Sequence, residues 1–245
     1  MRVAVIVPAF NEARSLPAVA AELRAHPLRP DVVVVDDGSS DGTAAVAAGL
    51  GLGVVRLPFN LGIGGAVQAG YAWCAARGHD VAVQVDGDGQ HDAAFLDALL
   101  EPLRAGRADL VVGSRFLAPG GFRSTAARRA GIRYLSWFLR LRCGARVTDP
   151  TSGFRAAGRR AIELFAAAYP HDYPEPEAVA LAVRAGLAVA EVPVRMRERA
   201  HGASSITALR SLYYLVKVSL ALLLLPPALP RQGARAVPAG DGRAP

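Results

Sequence analysis

Residues 2 to 37 read RVAVIVPAFNEARSLPAVAAELRAHPLRPDVVVVDD, in which two apolar runs flank a segment with apolar residues at helical spacing. This order predicts a strand, a crossover helix and a second strand parallel to the first. The alternation continues along the chain, with further apolar runs at 53–57, 81–86, 110–113 and 188–194. The sequence therefore predicts an α/β fold with a doubly wound, mostly parallel sheet covered by helices.

The composition indicates one catalytic-sized domain with a preference for anionic partners. The chain has 245 residues, with 28 Lys and Arg against 21 Asp and Glu, a formal net charge of +7. Such a balance favours nucleic acid, lipid phosphate or a diphosphate substrate. The two cysteines, Cys74 and Cys143, are far apart and form no CxxC pattern, which excludes a disulfide scaffold and a zinc site.

We find no signal-peptide pattern at the start and expect a cytoplasmic protein.

The most apolar stretch lies near the end of the chain, SLYYLVKVSLALLLLPPALP at 211–230. Lys217 interrupts it and Pro226 ends it before the ~20 residues that a spanning helix needs. We expect an amphipathic helix that lies on a membrane surface or binds a partner, with a plain core helix as the alternative. The predicted organisation is a catalytic domain at 1–208, this C-terminal helix at 209–230 and a disordered tail at 231–245.

A pair of aspartates follows one predicted strand in VQVDGDGQHD, residues 83–92. Asp86 and Asp88 leave the strand on one side, where two carboxylates repel each other unless a cation lies between them. Gln90 adds a neutral carbonyl oxygen, and Gly87 lets a ligand approach the backbone. A calcium loop is excluded, because its sixth and twelfth positions carry His91 and Asp97 instead of Gly and Glu. An aspartyl-nucleophile phosphatase and a metal that bridges a nucleotide-sugar diphosphate both remain open.

Other polar motifs end neighbouring strands at the same sheet edge, where open parallel sheets bind ligands. They are PAFNE at 8–12, VDDGSSDGT at 35–43, NLGIGGA at 60–66 and GSR at 113–115. With the D-x-D pair, they resemble the family 2 glycosyltransferases of the GT-A, Rossmann-like fold. Within that family the chain is similar to the dolichol-phosphate mannose synthase-like branch, which uses polyprenyl phosphates. The resemblance extends from about Val3 to Ala208.

The resemblance implies a nucleotide-sugar site with a divalent metal, Mg²⁺ or Mn²⁺. The residues it assigns to the nucleotide sugar are Pro8, Glu12, Asp37, Gly64, Asp86 and Gly87. It implies that Asp37 contacts the base or its ribose and that Gly64 allows close approach to the nucleotide. It assigns the metal to Asp86, Asp88 and Gln90, with Asp88 also counted as catalytic.

Three further motifs carry phosphate or acceptor roles by the same resemblance. Arg115 of GSR is expected beside the donor phosphates, where a guanidinium can bind two oxygens. Asp149 of DPTSGFR, at 149–155, is expected to orient the acceptor or the arginines. In RERAHGASS, at 197–205, Arg199 and Ser204 are expected to close over the diphosphate.

The implied activity is inverting, metal-dependent transfer of a sugar from a GDP- or UDP-sugar to a lipid phosphate at the cytoplasmic face of the membrane. A phosphate acceptor needs no base, because its second pKa is near ~6. A hydroxyl acceptor would need one, and Asp149 or Glu177 would then be the candidates. The alternatives are a soluble hydroxyl acceptor, a phosphatase and a catalytically idle membrane adaptor. We expect a membrane surface or membrane protein as a partner, and no nucleic acid.

Overall fold

The computed structural model describes residues 1–117, 125–197 and 208–224, which form a sheet with helices on both faces. Its strands are β1 Val3–Ala9, β2 Asp31–Asp36, β3 Gly53–Arg56, β4 Val81–Gln84, β5 Leu110–Ser114, β6 Arg155–Gly158 and β7 Val189–Pro193. Its helices are α1 Leu16–Ala25, α2 Thr43–Gly49, α3 Gly62–Ala76, α4 Leu96–Arg104, α5 Ala126–Cys143, α6 Arg159–Ala167, α7 Pro174–Arg184 and α8 Ala208–Leu224. A short 3₁₀ helix, Ala93–Phe95, precedes α4.

The seven-stranded sheet has the order β3-β2-β1-β4-β6-β5-β7. Every residue of β1 is buried, as expected for a central strand covered on both faces. It pairs in parallel with β2 and β4, and Ala9 at its end is level with Asp36. All six predicted strands are present with bounds that agree within two residues, so the predicted doubly wound sheet is confirmed. The polar motifs that follow β1, β2 and β4 consequently meet at one edge.

The strand β6 was missed by the sequence analysis. Its sequence, RAAG, has no run of β-branched residues to mark it as a strand. It lies antiparallel between β4 and β5, with Arg155 level with Gln84. Because an antiparallel strand begins at the edge where its parallel neighbours end, β6 brings the preceding DPTSGFR turn to the carboxyl end of β4.

Apolar side chains form a core on each face of the sheet and a third cluster beneath the C-terminal helix. In that third cluster, Val218 and Leu222 of α8 pack with Leu135 and Leu139 of α5. One face of the predicted C-terminal helix is therefore part of the folded domain. Within residues 1–117, 125–197 and 208–224, every helix is too short or too polar to span a bilayer.

Candidate functional site

A cleft of about 280 Å³ opens at the carboxyl ends of β1, β2 and β4. Its lining includes Pro8, Glu12, Asp37, Asp86, Gly87 and Asp88, all of which were predicted to bind the nucleotide sugar or its metal. The agreement follows from topology, because each of these residues lies at or just after the carboxyl end of a parallel strand, at the same edge of the sheet.

Two loops at the mouth of the cleft are tied together by side chains. The backbone N–H of Asn11 donates to Ser39 Oγ at 2.9 Å, and that of Ala13 donates to Asp41 Oδ2 at 3.0 Å. Between them, the N–H of Glu12 donates to Thr43 Oγ1 at 2.9 Å. These bonds hold the PAFNE loop, and with it Glu12, against the VDDGSSDGT loop.

Asp37 connects the end of β2 to the start of α3. Its Oδ1 accepts the N–H of Leu61 at 2.7 Å, and its Oδ2 accepts the N–H of Gly62 at 2.9 Å. Burial raises the pKa of Asp37, and these two donors oppose that rise. The side chain is thus held rigidly in the cleft wall, and its contact with a base or ribose stays a prediction.

Gly64 lies in the first turn of α3 and is buried. A Cβ atom there would lie 2.2 Å from the carbonyl oxygens of both Pro170 and His171. The close approach that the structure shows is therefore to the protein's own backbone. On this helix the cleft wall is formed by Gly62, Ile63 and Ala66.

Residues 85–91, which follow β4 and are called the D-x-D loop below, present the carboxylates of Asp86 and Asp88 at different depths. The side chain of Asp86 is 35% exposed, whereas Asp88 is 4% exposed. Asp88 Oδ1 accepts the N–H of Gln90 at 3.0 Å. The N–H of Asp86 donates to Nδ1 of His91, a ring that stacks on Phe154 with centroids 4.7 Å apart. His91 was given no role from the sequence, and the structure shows that it supports the backbone of the loop.

The donor atoms at this loop are suited to a hard divalent cation. Asp86 and Asp88 supply carboxylate oxygens, and Mg²⁺ or Mn²⁺ is usually held by one or two carboxylates together with waters and substrate phosphates. Among the described residues, no group of three or more His, Cys, Asp or Glu side chains is arranged to hold a metal. The amide of Gln90 is the neighbouring neutral oxygen donor on the same loop.

Arg115 and Asp149 form a buried, bidentate ion pair. Arg115 Nε and Nη2 donate to the two carboxylate oxygens of Asp149 at 2.6 and 2.7 Å, and the side chains are 6% and 0% exposed. Arg115 Nη2 also donates to Thr151 Oγ1 at 2.7 Å. Asp149 therefore orients an arginine, which was one of the roles predicted for it. With both oxygens engaged and no exposure, it is not placed to act as a base.

Glu191, in the middle of β7, holds the turn that carries Asp149. Its carboxylate accepts the N–H of Thr148 at 2.7 Å and the N–H of Asp149 at 2.9 Å. Burial raises the pKa of Glu191, and these two donors oppose the rise. Glu191 was given no role from the sequence, although a glutamate inside the apolar run AVAEVPV was a usable signal.

The comparisons with known proteins agree with this geometry. The profile described as Glycosyl transferase family 2 matches residues 4–165. The chain belongs to glycosyl transferase family 2. It is 36% identical to the undecaprenyl-phosphate mannosyltransferase of Micrococcus luteus, over 84% of this chain and 88% of that one. It is 35% identical to the polyprenol monophosphomannose synthase of Mycolicibacterium smegmatis, over 84% and 81% of the two chains.

Among solved structures, this family 2 chain is similar to glucosyl-3-phosphoglycerate synthase from Mycobacterium tuberculosis in complex with Mn²⁺ and UDP-glucose. The TM-score is 0.69 with 26% identity, over 95% of this chain and 81% of that one. The fold is GT-A, and the chain is a glycosyltransferase, as predicted. Because the chain belongs to this family, the alternative function as an aspartyl-nucleophile phosphatase is rejected.

Two of the predicted residues of this glycosyltransferase, Arg199 and Ser204, lie outside the described residues. For Glu177, the alternative base, the charge of Lys217 on α8 lowers the pKa and that of Asp172 raises it. Glu175 instead lies among the charges of Arg155 and Asp86. Burial raises the pKa of both glutamates. Of the two, Glu175 is the one whose pKa is affected by the charge of Asp86, a difference that the sequence motif alone did not show.

Gly153 supports Asp86 by having no side chain. A Cβ there would lie 3.3 and 3.4 Å from the carboxylate oxygens of Asp86 and 3.1 Å from Gln84 Nε2. We expect Gly153→Ala to displace Asp86 and weaken Mn²⁺ binding about tenfold, as overpacking typically costs about 1–3 kcal/mol. Electron paramagnetic resonance titration with Mn²⁺ measures this. Gly49→Ala is the control, because nothing lies within 4 Å of a Cβ there. Equal Mn²⁺ affinity of the two variants would contradict the prediction.

Proposed function

We propose that this glycosyltransferase moves a hexose from a nucleoside diphosphate sugar to a polyprenyl phosphate, with inversion at the anomeric carbon. The observation that carries the proposal is the pair Asp86 and Asp88 in a cleft at the carboxyl ends of the strands. The acceptor class is supported by two relatives at 35–36% identity, which are named for undecaprenyl phosphate and polyprenol monophosphomannose.

Asp86, Asp88 and Gln90 would hold the cation, Mg²⁺ or Mn²⁺. When bound, it would neutralise the charge that develops on the leaving diphosphate. The structural relative bound to Mn²⁺ and UDP-glucose supports this assignment. The protein's own contribution is placement: Glu12, Asp37 and the backbone at Gly87 line the cleft that receives the nucleotide.

The acceptor needs no protein base in this proposal. A phosphate monoester carries a charge of about −1.5 to −2 at neutral pH and can attack directly. Arg115 is held by Asp149 in one orientation. A guanidinium group is suited to binding phosphate oxygens. The acceptor phosphate is therefore expected on this side of the cleft.

The outer face of α5 and α8 supports a position at the cytoplasmic surface of the membrane. Its exposed apolar side chains are Tyr134, Trp137, Leu141, Tyr213, Val216, Leu220, Leu223 and Leu224. Arg133 and Arg140 are exposed on α5 beside them. Aromatic and aliphatic side chains flanked by arginines are typical of helices that lie in the headgroup region of anionic bilayers.

A double substitution, Trp137→Ser with Leu141→Ser, is expected to weaken binding to vesicles that contain anionic phospholipid by more than about tenfold. The two side chains are 57% and 64% exposed, and burying one large apolar side chain contributes about 1.5–3 kcal/mol. Vesicle co-sedimentation measures the change. Phe59→Ser is the control, since Phe59 is 63% exposed but lies outside these helices. Vesicle binding of the double variant at the wild-type level would reject this surface.

Transfer assays test the function directly. Radiolabelled UDP- and GDP-sugars with Mn²⁺ are offered with a short polyprenyl phosphate or with phosphoglycerate. We expect a glycosylated lipid phosphate of inverted anomeric configuration. Transfer to phosphoglycerate alone would favour the soluble hydroxyl acceptor, as the structural relative's name suggests. Donor binding without transfer to any acceptor would favour the idle adaptor.

A saturating donor, at 100 times its dissociation constant, should stabilise the fold by about 2.7 kcal/mol.

A further inference from the structure

Gln90 is joined to Arg197 through both main-chain groups of the arginine. The N–H of Arg197 donates to the carbonyl oxygen of Gln90 at 2.9 Å, and Gln90 Nε2 lies 3.4 Å from the carbonyl oxygen of Arg197. Next to them, His91 and Met196 form an antiparallel bridge. The D-x-D loop is thus paired with the chain that follows β7.

These contacts decide which end of the Gln90 amide faces Arg197. Nε2 is the donor end, and a carbonyl oxygen can only accept. With Nε2 directed to Arg197, the Oε1 of the same planar amide points the other way. A hydrogen-bond partner for the amide nitrogen fixes the orientation in which a glutamine presents its oxygen to a metal, and here that partner is the carbonyl oxygen of Arg197.

The side chain of Arg197 anchors that backbone. Its guanidinium bridges two carboxylates: Nη1 pairs with Glu22 on α1, and Nη2 lies 2.8 Å from Asp92 Oδ1. Asp92 follows directly after the D-x-D loop and caps the 3₁₀ helix by accepting the N–H of Ala94. The three charged side chains, with the arginine between the two acids, therefore tie α1, the D-x-D loop and the end of β7 at one point.

We propose that Arg197 is a positioning residue for the metal site: its ion pairs with Glu22 and Asp92 hold its backbone against Gln90, which directs Gln90 Oε1 to the cation. This inference rests on the metal assignment in the proposed function. Arg197 acts through Gln90, and its own side chain pairs with Glu22 and Asp92. The side chains of Arg197, Glu22 and Asp92 are 44%, 39% and 26% exposed, so these pairs contribute little to global stability.

Manganese titration of the full chain by electron paramagnetic resonance tests this inference. We expect Arg197→Met to raise the Mn²⁺ dissociation constant about fivefold, the scale of losing two partly exposed ion pairs. Glu22→Gln is expected to cause part of that rise. Arg107→Met is the matched control, because Arg107 forms an exposed ion pair with Glu101 away from the D-x-D loop. The melting temperatures of all three variants should stay close to that of the wild type.

A double-mutant cycle separates positioning through Gln90 from a general effect on the loop. In a Gln90→Leu background, Arg197→Met should not weaken Mn²⁺ binding further. A full additional loss in that background would overturn the inference, as would unchanged Mn²⁺ affinity in Arg197→Met or absence of Mn²⁺ binding by the wild type. A wild-type chain that binds Mn²⁺ but transfers no sugar would instead reject the proposed function and leave the inference to be decided by the titrations.

Discussion

Asp88→Asn is expected to lower sugar transfer on the order of a thousandfold. A bound cation contributes several kcal/mol to stabilising the leaving group, and each ~1.4 kcal/mol is a factor of ten in rate. Asparagine keeps the size of the side chain and an oxygen that can accept the N–H of Gln90, which Asp88 now accepts at 3.0 Å. The loop should therefore keep its conformation while losing one of two metal carboxylates. Turnover of a nucleotide sugar with saturating Mn²⁺ is the measurement.

The matched control for this variant is Asp97→Asn. Asp97 has the same chemistry but lies on α4, is 61% exposed and pairs with Arg104. Its substitution should leave transfer and the melting temperature near wild-type values. Transfer by Asp88→Asn within tenfold of the wild type would reject Asp88 as a metal ligand.

Asp149→Ala is expected to destabilise the fold by about 3–5 kcal/mol, because it leaves the guanidinium of Arg115 buried without its counter-charge. Asp149 is fully buried and accepts two side-chain bonds and one backbone bond from Arg115. The same substitution should reduce transfer strongly, since Arg115 loses its orientation. Urea unfolding measures the loss of stability. Turnover of the donor, at urea concentrations too low to unfold the protein, measures the loss of transfer.

Two further variants identify the cause. Glu163→Ala removes an exposed partner of Arg159 and should cost no more than about 1 kcal/mol. The double variant Arg115→Met, Asp149→Ala removes both buried charges and should recover stability without recovering transfer. If Asp149→Ala were no less stable than Glu163→Ala, the ion pair would not have the stabilising role that its burial implies.

Much of the candidate site was predictable because the fold is a parallel sheet. In such a sheet, the residues that end successive strands meet at one edge regardless of the details of packing. Pro8, Glu12 and Asp37 end or follow β1 and β2, and Asp86 and Asp88 follow β4. Their residue types and their positions after apolar runs were sufficient to bring all five to one cleft.

The positioning residues were not predictable in the same way. Arg155 lies in a four-residue strand without a strand-like pattern, yet it is buried and donates to the carbonyl oxygens of Ser152 and Pro150 at 2.6 and 2.8 Å. Glu191 contacts Asp149, more than forty positions away in the chain. Arg197 contacts Gln90, more than a hundred positions away. No local pattern encodes such pairings, because they depend on which strands become neighbours.

The sequence by itself determined the parallel α/β architecture, the family resemblance and the carboxylates at the strand ends, since periodicity and strand termini are local properties. Tertiary structure decided which groups those residues meet. The antiparallel strand β6 brings DPTSGFR beside the D-x-D loop, so that Gly153 packs on Asp86 and Asp149 binds Arg115. The approach of Pro170 and His171 to the start of α3 likewise made Gly64 a packing residue. The physical reason is that burial and charge pairing depend on contacts between distant segments, which form only when the sheet is assembled.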